Sequence, residues 1–366
     1  TFSATLYNKA ETINIRATAV ALSATTTTGN IAVNPGVATK LLWVTAPATP
    51  QTAGANWAPF TVEVTDANNN RRTSDNSTVI TVTRVAGTSA FASGYTATAS
   101  AGLATFNALN YNKAEAITVK ATSAGLADTS TTGNIAVNPG TATKLLWVTA
   151  PATPQAAGIP WSSSIRITDQ YDNTVNSSAV VTLTIVAGTG SFVSGYTATA
   201  SAGLATFSST LYNKAETITV KGTAVGLADT TTTGNIVINP AAPNIIVFST
   251  QPPASVGAGS TITPAIQVLV QDAYNNNISG TAVTLALSPT GVTTLGGTLT
   301  RNTNISGNAA FNDLVITLTG TYGLTATAGA LTAASGNFNI TTAAPNTVVF
   351  STQPANSVAG ATMANV

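Results

Sequence analysis

A period of about one hundred residues governs this chain. "ATKLLWVTAPATPQ" stands at 38–51 and again at 142–155, and "GYTATASAGLATF" stands verbatim at 94–106 and 195–207. Trp43 returns as Trp147 and then as Phe248 and Phe350. That period is too long for the ~20–50-residue units of solenoids and propeller blades, so it predicts an array of whole domains. The spacing between matching segments varies by a few residues, which places the insertions in loops.

Within a unit the pattern predicts strand after strand. "FTVEVT" (60–65) sets Phe60, Val62 and Val64 against Thr61, Glu63 and Thr65, a period of two. "SIRIT" (164–168) and "AIQVLVQ" (265–271) are its counterparts. Val181, Leu183 and Ile185 share a face in "VVTLTI", as do Val283, Leu285 and Leu287 in "VTLAL" and Ile117, Val119 and Ala121 in "AITVKAT". Thr fills the outward positions and suits strands. Turn segments such as "DANNNRR", "DQYDN", "DAYNNN" and "AGTG" separate the runs, and no stretch shows a helical period with caps. Seven or so short alternating strands per ~100 residues predict a β-sandwich. Trp43, Trp147, Phe248 and Phe350 read as core anchors. Trp57 and Trp161 read as core residues at the sandwich end, with stacking on a sugar or an adjoining domain as the alternative.

The ordered segments carry a resemblance. They are an opening aromatic strand ("KLLWVTAP", "IIVFSTQPP", "TVVFSTQP"), an "AG" turn, a "D-x-x-N-N" loop, a "G-x-A-x-F" strand and "TYGLTATAG". Together they resemble the tandem Ig-like repeats of large bacterial and archaeal cell-surface proteins of adhesin, stalk or filament type. The resemblance implies an all-β fold of tandem Ig-like β-sandwich domains arranged as a rod, and a place outside the cell. The chain departs from antibody-type domains in having no Cys pair, and only Tyr322 resembles a tyrosine corner. The expected divisions are 1–37 (the C-terminal part of a domain), 38–140, 141–241 and 242–344 (three whole domains) and 345–366 (the opening strands of another). Boundaries fall near Pro35–Gly36, Pro139–Gly140, Pro240 and Ala344–Pro345. The linkers are short, and Pro stiffens them. Head and tail together lack a unit's middle strands, so the expectation is a window of a longer periodic chain, with donor-strand joining between copies as the alternative.

Composition narrows the function. There is no His and no Cys, which removes Ser-His-Asp and Cys-His nucleophiles, His-based zinc sites and any disulfide framework. Charged residues are 7% of the chain and the net charge is +1, so no basic stripe serves nucleic acid and little self-repulsion keeps copies apart. Apolar residues alternate rather than run together, so no membrane span is expected in this segment.

The remaining candidates each have a plainer reading. Asp66 with Asp75, or Asp169 with Asp172, could form a carboxylate pair, but Asp in such loops more simply makes a turn. Calcium could use the Asp/Asn loops, yet each offers only one or two carboxylates. Lys9/Glu11, Lys113/Glu115 and Lys214/Glu216 of "NKAE" read as surface ion pairs, contributing ~0–1 kcal/mol. Lys40 and Lys144 with Asn34, Asn138 and Asn239 could form a first-to-last-strand isopeptide bond, although Ile245 replaces the Lys in the third unit. O-linked sugar fits "ATTTTGN" and "DTTTTGN". The five sequons (Asn76, Asn176, Asn277, Asn304, Asn339) are no more than chance supplies in so Ser- and Thr-rich a chain.

No catalytic, cofactor-binding or metal residue is therefore assigned. The expected function is that of a structural repeat segment of an extracellular fibre, filament, stalk or sheath, without catalysis. Its partners would be further repeats or copies of itself. The alternative is an adhesin repeat that binds surface glycans or a partner cell.

Overall fold

Strand pairing builds three successive sandwiches, each closed by its own residues. The computed structural model describes residues 2–343, 345 and 347–363; the expected boundary at Ala344 lies outside the described residues. In the head, β1 (Thr12–Ile13) pairs antiparallel with β2 (Ile31–Ala32).

The first full sandwich runs through β3 (Lys40–Thr45), β4 (Gln51–Thr52), β5 (Phe60–Thr65), β6 (Val79–Ala86), β7 (Phe91–Ser93), β8 (Thr96–Thr98), β9 (Leu103–Phe106), β10 (Asn110–Tyr111), β11 (Ala116–Thr122) and β12 (Ile135–Asn138). One sheet has the order β3-β5-β9 and the other β4-β12-β11-β6-β8. The opening run therefore serves both sheets: β3 pairs antiparallel with β5, and β4 crosses over to pair parallel with β12. That split first strand, with antiparallel neighbours elsewhere, is the strand order of an Ig-like sandwich. The same order recurs at 144–239 and at 245–341, so the chain is a tandem of Ig-like sandwiches with no helix among the described residues.

The period-two segments became strands because alternation lets one face leave water. Phe60, Val62 and Val64 are buried, as are Ile117, Val119 and Ala121. The first core adds Leu41, Trp57, Phe106, Tyr111 and Ile135. Val181 and Leu183 are equally buried in the second sandwich, and Ile266, Val283, Phe311 and Ile340 in the third. At ~25 cal/mol per Å² of apolar surface, these inner faces are the dominant favourable contribution to each sandwich.

The aromatic expectations hold with one exception. Trp57 and Trp161 are buried at the sandwich end, where the third sandwich has buried Ile262, although their indole N–H groups find no acceptor among the described residues. Trp43, Trp147 and Phe248 are half-buried against the cores. Phe350 is the correction: it is 63% exposed, because no described strand pairs with residues 347–354 to cover it.

The Thr-rich runs have a structural task. Thr129 Oγ accepts from the Ala121 N–H and Thr132 Oγ from the Val119 N–H, extending the sheet edge with hydroxyls. Thr230 and Thr233 repeat this with Gly222 and Val220. The Trp43 and Trp147 indoles donate to the carbonyls of Ser130 and Thr231 in the same runs.

Candidate functional site: a repeated joint between sandwiches

The feature that recurs intact is the joint. Its centre is the loop after the second long strand of each sandwich, with Asp at the first position and Asn at the fifth: Asp66/Asn70, Asp169/Asn173 and Asp272/Asn276. The chain reverses there through a left-handed residue (Asn69, Asp172 or Asn275, φ 68°, 69° and 65°), a conformation Asn and Asp tolerate.

The aspartate organises the loop. Asp169 Oδ1 accepts from the N–H groups of Tyr171 and Asn173 at 2.9 and 3.0 Å. Asp169 Oδ2 accepts from Asn173 Nδ2 and from the N–H of Gly140 in the incoming linker, both at 2.8 Å. Asp66 binds Asn68, Asn70 and Gly36 in the same way, and Asp272 binds Tyr274, Asn276 and Ala241. Each linker is thus tied back to the loop of the sandwich it leads into.

The asparagine reaches the preceding sandwich. Asn173 Nδ2 donates to Asn112 O at 2.8 Å while Asn173 Oδ1 accepts from the Ala114 N–H at 2.8 Å. One primary amide so spans a carbonyl and an N–H two residues apart. Asn70 does this to Asn8 and Ala10, and Asn276 to Asn213 and Ala215, at 2.7–2.8 Å. The residues gripped are those of the "NKAE" phrase, and they are gripped through backbone.

An aromatic contact completes two of the joints. A Cβ placed on Gly54 would lie 2.0 Å from the Tyr171 ring, and one on Gly158 would lie 2.1 Å from Tyr274 Oη. Only glycine in the "AG" turn lets the next sandwich's tyrosine seat there, and both glycines have positive φ (77° and 75°).

The charges follow from these bonds. Hydrogen bonding from Asn70, aided by the Gly36, Asn70 and Asn68 N–H groups, holds the Asp66 carboxyl down at about 2. Burial pushes Asp169 and Asp272 up, but the Asn173 and Asn276 side chains and the loop N–H groups outweigh it, and both lie below the usual carboxylate range. Four N–H donors fill the lone-pair directions of each of these carboxylates, so Asp66, Asp169 and Asp272 are spent on the loop and the linker rather than offered to the calcium considered above. Among the described residues no three His, Cys, Asp or Glu side chains cluster as a metal site.

The other candidates resolve into local structure. Asp172 pairs with Lys144 Nζ at 2.6 Å, and Asp75 caps the Ser77 and Thr78 N–H groups, so neither joins its neighbouring Asp as a carboxylate pair. Lys40 and Lys144 donate to the carbonyls of Ala67 and Gln170. Asn138 and Asn239 lie in the opposite sheet, paired with Thr52 and Ala156, so the isopeptide arrangement is not present. Lys113 and Glu115 do approach, at 3.9 Å, as do Lys9/Glu11 and Lys214/Glu216 at 2.7 and 3.7 Å. Yet Glu115 and Glu216 have closer partners: the Tyr111 and Tyr212 hydroxyls and the Thr88 and Thr189 N–H groups. Burial opposes their ionisation and these donors favour it, leaving both at about 2. Each braces the loop that the next sandwich grips.

No protein-family model and no curated protein matches the chain. Solved structures do overlay on it. They include the Escherichia coli adhesin FdeC (14% identical, covering 85% of this chain and 100% of that one, TM-score 0.39). Another is InvD of Yersinia pseudotuberculosis (16%, 84% and 98%, TM-score 0.39), and a third is the titin fragment I67–I69 (12%, 86% and 100%, TM-score 0.32). The strand order described above, not these likenesses, makes the sandwiches Ig-like.

Proposed function

We propose that the chain is a non-catalytic spacer: a segment of an extracellular stalk, fibre, filament or sheath built from stacked sandwiches divided at 38–140, 141–241 and 242–344. The observation that carries this reading is the joint, made three times by the same residue types at a spacing of 103 positions. Joints that share the same aspartate and asparagine bonds favour one relative orientation for every pair, which is what a load-bearing or distance-setting element needs. A surface of hydroxyls and amides with few charges changes little with pH and suits a location outside the cell.

Negative-stain microscopy of the purified chain tests this. The spacer reading expects stiff rods or regular filaments, and chains bent at random between sandwiches would refute it.

A groove on the first sandwich favours a second reading, an adhesin repeat that holds a glycan. Phe91 and the exposed Tyr95 line it beside Thr81, Thr83 and Arg84, with a volume of about 350 Å³. Retention of a monodisperse monomer on a glycan surface would support that reading over the spacer.

A further inference from the structure

The receiving side of each joint is backbone, so its sequence can change while its function stays. The third sandwich shows such a change: "TLTG" (317–320) stands where the others have "NKAE". Its backbone frame is nevertheless the same. The Gly259 N–H donates to Ile316 O at 2.9 Å, as Gly54 does to Tyr111 and Gly158 to Tyr212 at 3.0 and 3.1 Å. The Ala258 N–H donates to Thr341 O at 2.8 Å, as Ala53 does to Asn138 and Ala157 to Asn239 at 2.8 and 2.9 Å. Gly259 has φ 77°, matching Gly54 and Gly158.

This frame puts Thr317 O where Asn112 O and Asn213 O accept, and the Thr319 N–H where those of Ala114 and Ala215 donate. Residues 317–321 are exposed, Leu318 among them at 47%. A Cβ on Gly259 would meet nothing within 4 Å, whereas at Gly54 and Gly158 the next sandwich's tyrosine fills that space.

We propose that Gly259 with Thr317–Thr319 is a docking site for an Asp-x-Tyr-x-Asn loop on a further sandwich. The asparagine amide spans Thr317 O and the Thr319 N–H, and the tyrosine ring lies over Gly259. A carboxylate cannot replace that amide, because it has no N–H for Thr317 O. The inference rests on the tandem reading above and names the chemistry of the next partner.

The test extends the chain. Residues 139–241, whose loop is Asp169-x-Tyr171-x-Asn173, are appended after Thr341, which stands where Asn138 precedes its own linker. Amide exchange is then followed by NMR. The Thr319 amide is expected to exchange at least about tenfold more slowly than in the original chain. Asn173→Ala in the appended copy is expected to restore the original rate. Thr319 exchanging at its original rate beside a protected Val220 amide in the appended copy would overturn the proposal, because that copy is then folded and undocked. Should the appended copy fail to fold, a second extension with residues 240–341, whose loop holds Asp272, Tyr274 and Asn276, gives the same readout. A protected Thr319 in chains that microscopy finds bent at random would sink the spacer reading and leave this docking site standing.

Discussion

Replacing Asn173 with alanine should open one joint and leave the sandwiches on either side folded. The amide makes three bonds: to Asn112 O, from the Ala114 N–H and to Asp169 Oδ2, each at 2.8 Å. A hydrogen bond contributes about 0.5–1.5 kcal/mol net. Two of the three cross the joint, and their partners Asn112 and Ala114 are half-buried, so water can reach them once the joint opens. The expected loss from the joint is therefore about 2 kcal/mol, a shift of roughly thirtyfold in the closed-to-open ratio. NMR amide exchange at Ala114 reads this directly, with acceleration of about that factor. The Ala215 amide at the next joint should not change, and neither should the core amides of Val181 and Leu183. Asn173→Asp should open the joint further, because a carboxylate faces both Asn112 O and Asp169 with no donor. An unchanged Ala114 rate, or equal acceleration at Ala215, would refute the view that each joint is held locally by its asparagine.

Gly158→Ala should disturb more than Gly259→Ala, although both residues have positive φ. Each adds about 1–2 kcal/mol of left-handed backbone strain, but only position 158 also drives a methyl into Tyr274, so small-angle scattering should show a displaced joint between the second and third full sandwiches in that variant alone. Acid should loosen the joints. Asp66, Glu115 and Glu216 are held at about 2, and Asp169 and Asp272 are also lowered, so their contribution is complete above the unfolded carboxylate value near ~4 and is lost as pH falls towards 2. Chains examined at pH 5 and pH 7 should be equally stiff, with flexibility rising only below ~4. Thr230→Val keeps the shape and leaves the buried Gly222 N–H unpaired, at a cost of about 1–3 kcal/mol in thermal unfolding, whereas Thr232→Val at an exposed position should be neutral.

What the sequence made legible depended on whether a feature is written in side chains. Alternation in "FTVEVT" and "AITVKAT" predicts the strands because burial of one face is a side-chain property, and both segments are strands over those residues. The Asp-to-Asn loops were also visible, and their turn-making reading was right as far as it went. The joint was not visible, because Asn173 grips Asn112 and Ala114 about sixty positions earlier, and it grips their backbone. A backbone acceptor leaves no residue signature, so the recurrence of "NKAE" pointed only to an ion pair. One signal was available: the Asp/Asn loop survives in the third unit although its flanks diverge, and a turn alone does not demand Asn at the fifth position. The same logic explains why the third sandwich can lose "NKAE" without losing its receiving frame. Glu115 and Tyr111 brace that loop in one sandwich, while Ile316 occupies the Tyr111 position in the core of another, and both present the carbonyl that fixes the neighbouring glycine. What the joint requires in side chains is therefore the gripping amide and, where a tyrosine seats, the small glycine, because the gripped residues take part through backbone alone.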